Sequence, residues 1–315
     1  MGRGHLSKVM VAGNNRTAYD FTFLSMLRMK IKELVLLDVP ELDMAIFKDL
    51  TYTEAIFPHT TLKIGNEKDF QDTDLLIITA CEERNEDETD KEYLRRNIKL
   101  VRKIINQAMA NSFDGMVIIA TEPTDIFTYL IWKFSGLPKE RIFGLGTYFD
   151  TIYFQNMLSK FFKISVHDVK GYIVGGSQKN QKIAIWSRSY VGGTPVLGLT
   201  VDSDNAFNQE AMFKMEEMIL KRYDDNAVCR TGYTNAATLA KLVQLIINNE
   251  EAIVPLVHLV DIDEYKAIPL SLPILLGENG ISASYELGFS DDERQEILGV
   301  AKQIREQLDI IEQGK

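Results

Sequence analysis

The fold is indicated by the stretch Val9-Met10-Val11-Ala12-Gly13-Asn14-Asn15-Arg16-Thr17-Ala18. Four apolar residues suited to a buried strand lead through a glycine into a segment with helical spacing of its apolar residues. Strand-like and helical segments go on alternating through the first half of the chain, which predicts a parallel, doubly wound sheet of the Rossmann type with a ligand crevice at the carboxyl ends of its strands. The predicted strands are Val9–Ala12, Glu33–Leu37, Thr60–Ile64, Asp74–Thr79 and Gly115–Thr121, and the clearest helical segments are Thr17–Met29 and Lys91–Asn111.

The pattern changes after about residue 145, where the strands are joined by glycines and read as antiparallel. We expect residues 1–145 to form the parallel domain and residues 146–315 a second, mixed α/β domain packed against it. In the second domain the predicted helices are Asp150–Phe162, Ala206–Arg222, Ala236–Asn249 and Ser290–Glu312, with Ser290 as the N-cap of the last. The predicted strands are Lys170–Val174, Lys182–Arg188, Val196–Leu199, Ile253–Val260 and Pro269–Gly277.

Composition and charge exclude several classes of function. The chain is 45% hydrophobic and 25% charged, as expected of a globular protein, and its net charge of −10 argues against binding nucleic acid or anionic membranes. No apolar run reaches the roughly 18 residues of a membrane span. Two cysteines, Cys81 and Cys229, cannot build a disulfide framework, which fits a reduced, cytoplasmic setting. The four histidines stand apart from one another, so we predict no metal site.

The turn after the first strand carries part of a dinucleotide-binding fingerprint, with Gly13, Asn15 and Ala18 at its three glycine positions. Asn15 can adopt the positive φ of the middle position, but its side chain occupies the space through which the backbone approaches a pyrophosphate. Asp38, at the end of the second strand, stands where an acidic residue binds the ribose hydroxyls of NAD. The pattern predicts a weakened NAD site. The alternative is a tight strand–helix turn, with Asp38 a solvated strand end.

Three further segments resemble the lactate/malate dehydrogenase family: Glu122-Pro123-Thr124-Asp125-Ile126, Trp132-Lys133-Phe134-Ser135-Gly136-Leu137-Pro138, and Gly144-Leu145-Gly146-Thr147 with Asp150. The resemblance extends over nearly the whole chain. It implies a dinucleotide-binding domain followed by a substrate domain, assembly into homo-dimers or tetramers, and reduction of 2-oxo acids by NADH. That chemistry uses a histidine as proton donor, an aspartate that orients it, and arginines that polarise the carbonyl and hold the substrate carboxylate.

The family's proton donor has no match in this chain. The segment between Gly175 and Trp186 is one residue longer than the family pattern, so either Ser177 or Gln178 takes the histidine's place. Neither side chain can exchange a proton near neutral pH. The orienting aspartate matches Asp150, which we also interpret as an N-cap for a helix beginning at Thr151. The nearby lysines, Lys179 and Lys182, are interpreted as solvated loop charges.

The arginine positions are altered as well. Tyr153 stands where the carboxylate-binding arginine belongs, and Asp90 reverses the charge of the arginine that polarises the carbonyl. Six acidic residues lie between Glu82 and Asp90, in the segment that forms the family's mobile lid. This segment also has a helical pattern and is interpreted as a fixed extension of the following helix. Arg84 matches the specificity position, although pairing with the surrounding acids is the more natural interpretation.

Two more matched positions complete the predicted pocket. Glu122 replaces an asparagine that faces substrate and nicotinamide in the family, and Thr231 matches a threonine near the substrate. Added together, the substitutions predict a net negative pocket that holds no anion. It is formed by Glu122, Asp150, Tyr153, Gln178, Asp90 and Thr231.

These positions predict a catalytically inactive member of the family that retains a nucleotide-binding, regulatory or assembly role. The alternative is an active NAD-dependent oxidoreductase, similar to lactate dehydrogenase, that acts on an unusual substrate with residues such as Lys179 or Tyr153. A subunit that assembles with an active paralogue is a third hypothesis.

Overall fold

The computed structural model describes residues 6–39, 41–199, 207–224, 232–285 and 288–313. Its first half is a six-stranded parallel sheet in the order β3-β2-β1-β4-β5-β6. This is the strand order of the dinucleotide-binding fold and confirms the predicted Rossmann-type sheet. The strands are β1 (Lys8–Ala12), β2 (Glu33–Leu37), β3 (Thr61–Gly65), β4 (Leu75–Ile78), β5 (Met116–Ile119) and β6 (Ile142–Gly144).

Helices cover both faces of this sheet. They are α1 (Arg16–Arg28), α2 (Met44–Tyr52), α3 (Asp90–Ala110) and α4 (Thr124–Ser135). The side chains of the central strands alternate between two separate apolar cores, as the two-residue repeat of a strand requires. In β4, for example, Leu75 and Ile77 enter one core while Leu76 and Ile78 enter the other, and all four are fully buried. An apolar run covered on both faces is what the sequence predicted for this strand.

The second half contains the remaining described elements. The helices are α5 (Tyr148–Phe162), α6 (Gln209–Lys221), α7 (Tyr233–Ile247) and α8 (Asp291–Glu312). The strands are β7 (Val169–Lys170), β8 (Ile173–Gly175), β9 (Lys182–Ala184), β10 (Tyr190–Val191), β11 (Thr194–Pro195), β12 (Ala252–Ile262), β13 (Tyr265–Gly277) and β14 (Gly280–Ser284). The strands of this half pair antiparallel, as predicted, and β7, β10 and β11 make a small separate sheet.

One long sheet joins the two halves. β12 pairs antiparallel with β6 through Val257 and Gly144, and the sheet then continues through β13, β8 and β9. The chain therefore carries the segment 176–182 from β8 to β9 directly beside the carboxyl ends of the parallel strands. This placement brings residues of the second half to the predicted crevice.

Several local predictions are wrong for identifiable reasons. Val196–Leu199 is no strand, because Val196–Gly198 forms a 3-10 turn. Lys170–Val174 is split into β7 and β8 at Gly171, where a Cβ atom would lie 2.8 Å from the Phe154 ring. The segment Lys182–Arg188 remains a strand only to Ala184. The predicted start of the helix at Ala206 lies outside the described residues, while the Ser290 N-cap is confirmed by its capping box with Glu293.

The acidic lid is not a helix extension. The helix α3 begins only at Asp90, because Thr89 and Glu92 form a capping box that fixes its first turn. Residues 80–89 are irregular apart from a tight turn at Asp87. Among the described residues, no helix is both long and apolar enough to cross a membrane.

We predict an acid-sensitive stability from His258, which is buried in β12 with Nδ1 3.0 Å from the Leu256 carbonyl oxygen. Burial lowers the pKa of this imidazole to about 4. The unfolded chain binds a proton below about pH 6.5 and the folded chain does not, so stability should fall as pH drops from about 6.5 to 4, by up to roughly 1.4 kcal/mol per pH unit. Urea denaturation of wild type and His258→Gln between pH 7 and 5 measures this slope.

The exposed His167 provides the control. His167→Gln should keep the wild-type pH dependence of unfolding, whereas His258→Gln should flatten it. Equal slopes in all three proteins would contradict the assignment.

Candidate functional site

The turn between β1 and α1 brings the chain close to the end of β4. Gly13 has φ +150°, and a Cβ atom there would lie 2.1 Å from Thr79 Oγ1, so no other residue fits. Asn15 does not take the positive φ that the fingerprint allowed; with φ −95° it is the N-cap of α1. Its Oδ1 accepts a hydrogen bond from Ala18 N at 3.1 Å, and its Nδ2 donates to the Thr79 carbonyl. Asn15 therefore satisfies one of the first-turn amides that could otherwise bind a phosphate.

The neighbouring strand end carries the candidate ribose-binding group. Asp38 directly follows β2, is exposed, and accepts a hydrogen bond from Leu42 N at 2.7 Å. This bond holds the carboxylate at the carboxyl edge of the sheet, one strand away from the Gly13 turn. The residues matched to the fingerprint thus lie together at the edge where the fold places a dinucleotide.

A cleft with a volume of 620 Å³ opens at the carboxyl ends of β1, β4 and β5. One wall comes from the parallel half of the chain and the other from the 176–182 segment, the end of α6 and the start of α7. The residues lining it include Asn15, Thr79, Cys81, Asp90, Glu122, Ser177, Gln178, Lys179, Arg222, Tyr223, Thr234 and Asn235.

Behind this cleft, Asp150 is the centre of a buried ionic network. Its Oδ1 accepts a hydrogen bond from Arg222 Nη2 at 2.9 Å, and its Oδ2 accepts one from the Tyr223 hydroxyl at 2.7 Å. Lys182 Nζ lies 3.4 Å from the same Oδ2 and donates to the Gly176 carbonyl at 2.9 Å. The side chains of Asp150 and Lys182 are 1% and 3% exposed. The carboxylate is therefore held by two cations and a phenol.

This network overturns three sequence-based interpretations. Asp150 does not cap a helix beginning at Thr151, because α5 begins at Tyr148 and the carboxylate faces the ionic network. Lys182 is not a solvated loop charge, since its ammonium is buried beside Asp150. The expectation of a net negative pocket fails for the group around Asp150, where two cations contact one carboxylate, while Glu122 and Asp90 remain acidic groups of the cleft lining. Arg222, which lines the cleft, carries the charge that is left over.

The residues at the histidine's place are held by other contacts. Gln178 Nε2 donates to Gln307 Oε1 on α8 at 3.0 Å, which draws the amide toward that helix. The backbone amide of Ser177 donates to Asp125 Oδ2 at 2.9 Å, so the loop is fixed to the first turn of α4. The Ser177 hydroxyl is buried, lines the cleft and has no hydrogen-bond partner in the described part of the chain. Such a hydroxyl is a candidate contact for a bound molecule.

The lid positions pair with one another or with α3. Arg84 forms an ion pair with Asp90, so the two matched arginine positions of the lid neutralise each other, and Arg84 also donates to the Glu88 carbonyl at 3.1 Å. Arg96, which sequence analysis did not single out, binds Glu88 with Nε 2.6 Å from Oε1. The acidic charge of the lid is thus partly balanced. Only Asp90 among these residues lines the cleft described above.

Tyr153 does not reach the site. Its ring stacks on Phe149 with centroids 6.1 Å apart, and it packs with the core beneath α5. Phe149 also contacts Arg222, whose guanidinium lies 4.6 Å from the ring centroid. Arg222, at the end of α6, therefore lies close to Phe149, the ring on which Tyr153 stacks. Thr231 lies outside the described residues.

Glu122 lies on the floor of the cleft, just beyond the end of β5. Its Oε2 accepts a hydrogen bond from Thr124 N at 3.1 Å. The side chain is open to the cleft, but protein surrounds it in the other directions, and this confinement raises the pKa of the carboxyl to about 7 against the opposing charge of Lys182.

The central prediction from this site concerns Lys182. Replacing it by methionine keeps the apolar stem and removes the charge, which leaves a buried carboxylate with one cation. We expect Lys182→Met to lower the free energy of unfolding by roughly 3 kcal/mol in urea denaturation. The control Lys214→Met removes an exposed lysine paired with Glu210 and should cost less than about 1 kcal/mol. Equal stability of the two variants would contradict the buried network.

Comparison with known proteins agrees with this architecture. Residues 7–144 match the family model described as lactate/malate dehydrogenase, NAD binding domain, and residues 147–314 match the model for its alpha/beta C-terminal domain. The L-lactate dehydrogenase of Bacillus pumilus is 30% identical over 311 residues, covering 96% of this chain and 97% of that protein. L-lactate dehydrogenase 1 of Listeria innocua is 31% identical over 310 residues, covering 96% of each.

Solved structures give the same result. MGS-M5, a lactate dehydrogenase enzyme from a Medee basin deep-sea metagenome library, superposes with a TM-score of 0.89 at 26% identity, covering 97% of this chain and 98% of that one. The minor L-lactate dehydrogenase of Enterococcus mundtii, in its ligands-bound form, gives 0.87 at 25% identity, covering 96% and 98%. With both family models matched across almost its full length, the chain belongs to the lactate/malate dehydrogenase family.

Proposed function

We propose that this chain is an active NAD-dependent oxidoreductase that interconverts a carbonyl and a hydroxyl group on a small organic acid. The observation that carries the proposal is the position of Arg222 in the cleft. Because Lys182 lies beside Asp150 as well, the arginine keeps a positive charge that can hold an anionic substrate. The chain would thus replace the two missing arginines of its family by a cation from a different element.

The residues present fit the dinucleotide. Gly13 allows the close approach of the chain at the first turn, and Asp38 is positioned for the ribose hydroxyls. Asn15 reduces the number of free amides at the start of α1, so the diphosphate would be held by fewer hydrogen bonds than a full fingerprint offers. When bound, NADH would supply a hydride to the substrate carbon.

The protein's own contribution is binding and electrostatics. The guanidinium of Arg222 has a side available to the cleft while its Nη2 is fixed by Asp150 and Tyr223, so it is preorganised to meet a carboxylate or a developing alkoxide. The Ser177 hydroxyl can offer a second hydrogen bond from the same wall. Such groups stabilise charge best in a site from which water is excluded.

The prediction of an inactive protein depended only on the residues at the positions of the family's histidine and arginines. The curated relatives in the comparison are L-lactate dehydrogenases, and the cluster around Arg222 offers a cation that those positions lack. Since Gln178 replaces the proton donor and Tyr153 the usual clamp, we propose a substrate that differs from lactate in shape or charge placement. Homo-oligomerisation remains a prediction of the resemblance, which light scattering can measure.

We expect NADH to bind in calorimetric titration and to be oxidised when a carbonyl substrate of the right class is supplied. The assay is the loss of nicotinamide absorbance across a panel of 2-oxo acids, oxo amides and neutral ketones, each with the alcohol tested in reverse with NAD⁺. Binding of NADH without turnover of any compound in the panel would contradict this proposal and favour the hypothesis of a non-catalytic protein.

Arg222→Gln tests the cation directly. We expect kcat/KM for an acidic substrate to fall by about 100-fold or more, the equivalent of roughly 2.7 kcal/mol of transition-state stabilisation. Lys221→Gln, at an exposed position one residue earlier on α6, should leave kcat/KM unchanged. A similar effect of both substitutions would show that the role belongs to general surface charge and not to Arg222.

A further inference from the structure

A carboxyl group occupies the floor of the cleft at the position where the resemblance implies a neutral asparagine. Glu122 follows β5 and stands between the parallel strands and the wall formed by residues 176–182 and the end of α6. One oxygen, Oε2, is fixed by Thr124 N at the start of α4. The carboxyl is therefore held in place by the backbone while remaining accessible to a molecule in the cleft.

The charged neighbours of Glu122 come from every element packed around it. Those that influence its ionisation or line the cleft with it are Lys182 on β9, Asp125 on α4, Asp150 on α5, Cys81 after β4, Asp90 and Tyr93 on α3, Lys179 in the loop before β9, and Arg222 and Tyr223 after α6. Two opposing effects dominate the ionisation of Glu122. The positive charge of Lys182 stabilises its carboxylate, and burial against the protein favours its neutral acid. Asp150 is itself held by two cations. The pKa of about 7 places Glu122 where both protonation states are populated at neutral pH.

The opposite wall presents an independent sign of a ligand. The Ser177 hydroxyl is only 5% exposed, lines the same cleft, and has no hydrogen-bond partner among the described residues. Meanwhile the side chain at the alternative histidine position, Gln178, is engaged with Gln307 and has no titratable group to offer. A proton-exchanging group is therefore needed from elsewhere in the cleft, and Glu122 is the carboxyl that its floor provides.

We propose that Glu122 exchanges the proton with the reacting oxygen of the substrate, with the Ser177 hydroxyl hydrogen-bonded to that oxygen. The assignment rests on the proposed oxidoreductase function. In reduction, the carbonyl carbon gains a C–H bond as it receives hydride from the nicotinamide, and the π electron pair moves to oxygen. The O–H bond of Glu122 breaks as its proton passes to that oxygen, leaving an alcohol, NAD⁺ and a carboxylate beside Lys182. Oxidation runs the same step backwards and requires the carboxylate.

The first test measures the ionisation of Glu122 without turnover. The chain is labelled with ¹³C at the glutamate side-chain carboxyls, and the resonance missing from Glu122→Gln identifies the residue. We expect it to titrate near 7, well above the ordinary glutamate value of about 4.3, both in the free chain and with NADH bound. Titration near 4.3 in both states would overturn the assignment.

The second test measures catalysis. Carbonyl reduction by wild type should decline as pH rises through about 7, because the acid form is lost, while alcohol oxidation should increase over the same range. Glu122→Gln should lower kcat by about 100-fold or more with the affinity for NADH unchanged. The amide keeps an oxygen to accept from Thr124 N, so an unaltered melting temperature is expected.

Glu217→Gln, at an exposed position on α6, is the matched control and should keep the wild-type rate and pH profile. If wild type turns over and Glu122→Gln keeps its kcat and pH profile, this assignment is overturned and the proposed function stands. If wild type binds NADH but reduces no carbonyl compound in the panel, the proposed function and this assignment are both overturned.

Discussion

The buried carboxylate of Asp150 is the constraint on which the site depends. A charge with 1% exposure is tolerable only when it is paired and hydrogen-bonded, and here three partners meet that requirement. The partners come from β9 and from the end of α6, while Asp150 itself lies in the first turn of α5. One ionic cluster therefore ties together three elements of the second half of the chain. The same cluster places Arg222 at the wall of the cleft.

The charge balance follows from this cluster. Lys182 and Arg222 together exceed the single charge of Asp150, which leaves one positive charge beside the cleft before Glu122 is counted. Glu122 on the floor adds a group that can be neutral or negative near pH 7. Binding of an anion in the cleft would favour the neutral form of Glu122, and loss of the Glu122 proton would favour release of that anion. The charge of a bound substrate is therefore coupled to the protonation of Glu122.

Most of the fold could be predicted because it depends on local patterns. The apolar run of β4 and the glycine at position 13 are visible in the sequence, and each has a direct structural consequence. One error, at Gly171, arises where packing overrides local preference. The other, at the start of α3, arises because a local capping signal, Thr89 with Glu92, ends the helical pattern of the lid. In the site, Asp150 could be found from its motif. Arg222 and Lys182 could not, because nothing in their immediate sequence shows that both would converge on a residue 72 or 32 positions away.

The charge of the site is measured most directly by calorimetric titration of oxamate into the chain saturated with NADH. Oxamate is a small monocarboxylate that resembles a 2-oxo acid. A net negative site would repel this anion, whereas a site in which Arg222 retains a charge should bind it. We predict measurable binding at millimolar concentration that strengthens as pH falls from 8 to 6. No binding at either pH, with NADH bound, would contradict the claim that the cluster around Asp150 supplies the charge that its family takes from other residues.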